Sequence, residues 1–88
     1  SEEELIPLYY SPAKLEDGGS VFVSLSEISA KITSYGNLKK NPEPRRLGAI
    51  MTKLGFKKER SGHGGRRGYY VREHTQTEID RLRHPEIF

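Results

Sequence analysis

The sequence predicts a small α+β domain, and three observations carry that reading. Leu47, Ile50, Met51 and Leu54 recur at helical spacing, so one face of that segment must be buried. After Gly55 the pattern changes to two β-like runs, Phe56-Lys57-Lys58-Glu59-Arg60 and Gly68-Tyr69-Tyr70-Val71-Arg72, joined by Ser61-Gly62-His63-Gly64-Gly65-Arg66-Arg67. Upstream, a second apolar stripe (Leu25, Ile28, Ile32, Tyr35) follows the β-preferring triplet Val21-Phe22-Val23.

Glu2 to Tyr10 reads as a short helix with its acids at the N-terminal end, where the helix dipole favours them. Leu5, Leu8 and Tyr9 share one face, Pro7 requires the helix to begin close before it, and Ser11-Pro12 breaks it. Residues 13–20, with Asp17-Gly18-Gly19-Ser20, read as an exposed loop, and 21–23 as a minimal strand. Ser24 starts the next helix, Glu27 completes a capping box, and Gly36 stops it.

Asn41 then caps a basic helix running to Leu54, with Pro42 at its first position and Pro44 in its first turn. Arg45, Ala49 and Thr52 point away from its buried face, with Arg46 and Lys53 on one flank. An interior glycine, Gly48, costs roughly 1 kcal/mol relative to Ala. It therefore reads as a point of close backbone approach, to the preceding helix or to a partner. In the hairpin Phe56, Tyr69 and Val71 face inward and Lys57, Tyr70 and Arg72 outward, with a one-residue slip of register still open. Thr75 and Glu78 form a second capping box for a helix carrying Ile79 and Leu82, which His84-Pro85 ends. The order is that of a winged helix-turn-helix: a three-helix core, a small antiparallel β-hairpin wing and a short extra C-terminal helix.

Eighty-eight residues make one domain, 1–88, and a start at Ser1 inside an acidic run reads as a fragment of a longer protein. With 33% apolar and 31% charged residues and a mean hydropathy of -0.76 the core must be thin, but the apolar residues are periodic, which decides for a folded chain. Absence of cysteine excludes disulfides and thiolate chemistry. No apolar run reaches membrane-spanning length and no secretory pattern is visible, so the expected location is the cytoplasm, with no membrane partner.

The net charge of +3 hides an asymmetry. Residues 1–34 carry two basic and six acidic side chains, residues 35–74 eleven and three, and residues 75–88 two and three. A net +8 concentrated in one contiguous half points to a polyanion. The basic helix supplies Arg45, Arg46 and Lys53 for phosphates or base edges, with Ala49 and Thr52 small enough for close approach. Arg66 and Arg67 at the loop, with Lys57, Lys58 and Arg60 on the adjoining strand, extend a positive strip suited to a groove or backbone. A solvated helix face and a loop tip that merely collects charge are the plain alternatives. Tyr70, outward beside the loop, is the one candidate platform for an unpaired base. The glycines of the loop lack a phosphate-cradle pattern and read as wing flexibility. His63, His74 and His84 are too dispersed for a metal site, and no nucleophile–base spacing is evident. The expectation is a non-enzymatic module with no cofactor and no small-molecule substrate.

The run Arg46-Leu47-Gly48-Ala49-Ile50-Met51-Thr52-Lys53-Leu54-Gly55-Phe56, followed by Arg67-Gly68-Tyr69-Tyr70-Val71, resembles the small C-terminal domain of bacterial virulence-associated E proteins. These are primase–helicase-like ATPases often found on mobile elements, and tail domains of phage-type primase–helicases share the pattern. The resemblance covers residues 21–72. It implies an ATPase domain upstream of this module, which would then contact DNA or a replication partner. The expected function is thus DNA binding, duplex and backbone-dominated, accessory to a replication ATPase. The competing expectation is a protein-interaction winged helix docking on that ATPase or another replication protein, its acidic first half against a basic neighbour.

Overall fold

A computed structural model describes residues 2–60 and 65–87. Four α-helices and an antiparallel sheet make up the described residues: α1 (Glu2–Tyr9), β1 (Tyr10–Pro12), β2 (Val21–Val23), α2 (Leu25–Tyr35), α3 (Pro44–Lys53), β3 (Glu59–Arg60), β4 (Arg67–Glu73) and α4 (Gln76–Arg83), with a closing 3-10 turn at Pro85–Ile87. β4 is the hub. It pairs with β2 (Phe22 opposite Tyr70), with β1 (Ser11 opposite Arg72) and with β3 (Arg60 opposite Arg67).

Ile6 and Tyr9 of α1, Tyr10, Val23, Ile28, Ile32, Leu47, Met51, Phe56, Tyr69, Val71 and Ile79 form the buried core, and no polar or charged residue among those described is buried with them. Leu5, Leu8, Leu25, Leu38, Ile50 and Leu54 pack around it, half-buried. Each large side chain removed from water contributes about 1.5–3 kcal/mol, and the thinness expected from composition is visible in how few layers that makes. Burial, reinforced by the Glu73 and Glu27 charges, pushes the Tyr10 phenol well above its ordinary pKa, and burial alone raises that of Tyr69.

Several boundaries differ from the sequence expectation. The first helix ends at Tyr9, and Ser11-Pro12, expected only to break it, belongs to a strand; Tyr10 is buried at its start. β1 forms because β4 is long enough to pair along a second edge. The basic helix begins at Pro44, not Asn41. Pro44 pushes Glu43 out of the helical region (ψ 133°), so the helix cannot start earlier, and the N-cap Glu43 makes no side-chain capping bond. The run 56–60 is a strand only at Glu59–Arg60, because a Schellman closure occupies what precedes it. Gly55 (φ +96°) and Phe56 donate their N–H groups to Thr52 and Met51, which swings Phe56 into the core.

Gly36 stops α2 for a different reason than expected. Its φ is −91°, and Asn37 takes the left-handed conformation instead. A Cβ at Gly36 would press on the Ile32 carbonyl and lie 2.6 Å from Leu5 Cδ1, so the glycine lets α1 approach the end of α2. Gly68 lies in β4, within the strand its sequence predicts, and a Cβ there would meet the Val23 carbonyl oxygen and lie 2.8 Å from Phe22 Cζ. Gly48 shows no close approach among the described residues, where a Cβ would find only Leu25 Cδ1 at 3.8 Å. Tyr35 is 68% exposed and Leu82 52% exposed, so neither continues its apolar stripe into the core. The Thr75–Glu78 capping box is complete, while Ser24 accepts from the Glu27 N–H and donates its hydroxyl to the Glu27 carboxylate. Of the loop, Ser61, Gly62, His63 and Gly64 lie outside the described residues.

Candidate nucleic-acid interface

α3 has a strongly two-sided composition. Leu47 and Met51 are buried, Ile50 and Leu54 half-buried, and Arg45, Arg46, Ala49, Thr52 and Lys53 are exposed. Thr52 uses its hydroxyl hydrogen on the Gly48 carbonyl (3.2 Å), leaving the oxygen free to accept. The two flanking cations are not free. Arg46 Nε lies 3.6 Å from Glu2 Oε1, and Lys53 Nζ lies 2.7 Å from Glu3 Oε1. The acidic first turn of α1 therefore runs along the cationic flank of α3. Between them lies a shallow cleft of about 240 Å³, lined by Glu2, Glu3, Arg46, Ala49, Ile50 and Lys53.

On the hairpin, Lys57, Lys58, Arg60, Arg66 and Arg67 are all exposed. Arg66 reaches Glu27 in the first turn of α2, 3.3 Å away. Arg60 and Arg67 stand directly opposite one another across β3 and β4. Like charges in that position repel and destabilise the pair of strands. Among the described residues neither has an acidic partner, and neither do Arg45, Lys57 or Lys58. The hairpin and α3 approach the same turn of α2: Glu27 holds Arg66, and Leu25 lies against Gly48.

Tyr70 is half-buried rather than freely outward. Its ring meets Phe22 edge-on at 5.0 Å, directly across the β2–β4 pair, so a base stacking there would have to share the ring with Phe22.

The sequence carries no sign of three contacts of His74. It donates its backbone N–H to the Tyr9 carbonyl (2.8 Å), while its ring bridges the Leu8 carbonyl (Nδ1, 2.8 Å) and Ser11 Oγ (Nε2, 2.6 Å). A carbonyl can only accept, so Nδ1 carries a hydrogen and donates it to Leu8, while Nε2 and the Ser11 hydroxyl share the second hydrogen bond. The ring thereby clasps the end of α1 and β1 to the end of β4. Nothing local to His74 announces this, since its partners lie more than sixty residues away. Arg72 and Glu78 form an ion pair at 3.0 Å, and the Thr75 N–H together with Arg72 holds the Glu78 carboxyl below the usual carboxylate range. No family model, no curated protein and no solved structure matches the chain.

Proposed function

We propose that this chain is a winged-helix module that binds DNA through its backbone phosphates, with α3 as the reading helix and the β3–β4 hairpin as the wing. With β1 inserted after α1 and α4 added at the end, the order helix, strand, helix, helix, strand, strand is kept, and β2 and β3 both pair with β4, which supports that fold. The observation that carries the function is the facing pair Arg60 and Arg67, without an acidic partner among the described residues. A fold that tolerates this repulsion gains from a polyanion that relieves it. Arg45, Lys57 and Lys58 extend the unpaired charge. The resemblance of residues 46–56 and 67–71 to primase–helicase tail domains supports the same reading and names an ATPase neighbour. Docking on that neighbour is the second reading, favoured by the exposed Leu82, which with Pro7 lines a groove of about 450 Å³.

An amide-resolved titration with a short duplex tests the proposal. Arg45, Lys57, Lys58, Arg60 and Arg67 should shift together, and affinity should fall steeply with salt. Replacing Arg60 and Arg67 by Gln should flatten the log–log salt slope by about two, since each phosphate contact contributes about 0.9. An unchanged slope, or shifts confined to the groove around Ser11, Glu78 and Leu82, would sink it.

A further inference from the structure

We infer that the first turn of α1 is a built-in competitor for DNA, its two carboxylates occupying the places that phosphates would take on the flank of α3. This rests on the DNA-binding reading and concerns the regulation of that same surface. Glu2 meets Arg46 and Glu3 meets Lys53, and the four side chains close around one cleft beside Ala49. Arg46 and Lys53 are seven residues apart, about two turns or roughly 10 Å along the helix, so the acids cover most of one side of α3.

The contact is suited to exchange. Both cations are largely exposed (64% and 70% of the side chain), whereas Glu2 is 17% and Glu3 43% exposed, and both acids sit in the helix turn that favours a negative charge. The carboxylates are thus held by α1 itself, and the cations remain able to turn towards another anion. Exposed pairs of this kind are weak, and a duplex with many phosphates can displace them. The acids therefore set a threshold: DNA must outbid them for two of the cations on the reading helix. Any event that neutralises or removes the first turn of α1 opens that flank.

The test compares the full chain with a Glu2→Gln, Glu3→Gln double variant and a charge-matched control, Glu16→Gln with Glu86→Gln, all on the same duplex across a salt series. The double variant should bind about five- to thirtyfold more tightly at low salt, with a slope steeper by about one to two. The control should show only a small uniform gain. In the wild type, carboxyl carbon resonances of Glu2 and Glu3 should move as DNA is added, which needs no variant to fold. Equal affinity and slope in the double variant and the control, or carboxyl signals that stay still while DNA binds, overturns this inference and leaves the DNA-binding reading standing. Absence of DNA binding by all three chains overturns both.

Discussion

Two glycines on neighbouring helices should respond in opposite directions to the same added methyl group. Gly48 lies inside α3, where glycine is about 0.5–1 kcal/mol less favourable than alanine because it surrenders more backbone freedom on folding. The space beside it is open, with Leu25 Cδ1 at an ordinary 3.8 Å. Gly48→Ala should therefore stabilise the domain by about 0.5–1 kcal/mol, raising Tm by about 2–8 °C for a chain of this size. Gly36→Ala places its Cβ against the Ile32 carbonyl and 2.6 Å from Leu5 Cδ1. Leu5 can rotate, but the carbonyl belongs to the last turn of α2, so that turn and α1 must move apart. The expected loss is about 1–3 kcal/mol, the range for forcing atoms into a packed contact. Urea titrations followed by circular dichroism measure both. A destabilising Gly48→Ala, or a neutral Gly36→Ala, would refute the reasoning, the first because it would mean that α3 is pressed closely at that point after all.

The other predictions concern the polar contacts at the far end of the sheet. Glu78 is held below its ordinary pKa by the Thr75 N–H and then by Arg72, so its contribution is present above the unfolded carboxylate value, about 4.3, and is lost as pH falls through the lower folded value. The gap in urea midpoint between wild type and Glu78→Gln should accordingly close between about pH 6 and about pH 3; a gap that stays constant would show that the carboxylate charge plays no part. His74→Ala leaves the Leu8 carbonyl and the Ser11 hydroxyl without their ring partner and should cost about 1–3 kcal/mol. Hydrogen exchange at the Tyr10 and Ser11 amides should accelerate more than at Tyr69 or Val71; uniform acceleration would contradict a local clasp.

The helical stripes and the caps were legible because their determinants are local. Ile28 and Ile32, Leu47 and Met51, and the Thr75–Glu78 box are all set within one or two turns of chain. Inward Phe56, Tyr69 and Val71 were readable for the same reason, from the change of period after Gly55. What the sequence hid depends on distant partners. β1 exists only because β4 offers a free edge, and Ser11-Pro12 reads as a breaker when that edge is unknown. Gly68 reads as the start of a strand, but why that residue must be glycine stays hidden until the Val23 carbonyl is placed beside it. The start of α3 was an error of local chemistry: with two prolines in succession, the second one decides, because it fixes the residue before it outside the helix.

Charge in the sequence is also not the same as charge on offer. Of the six acids before residue 35, Glu2, Glu3 and Glu27 face Arg46, Lys53 and Arg66. Asp17 accepts from the Lys14 N–H in its own loop, and Glu4 is engaged as well. Half of the acids before residue 35 are therefore turned towards the basic half of the same molecule. That weakens an interaction module whose acids await a basic neighbour, because few of them remain to be recognised. The same pairing engages Arg46, Lys53 and Arg66, and among the described residues of the basic half leaves Lys39, Lys40, Arg45, Lys57, Lys58, Arg60 and Arg67 without an acidic partner. Under the proposed DNA-binding reading, Arg45 and the hairpin cations would be open to a phosphate at once, whereas Arg46 and Lys53 would be reached only by displacing carboxylates.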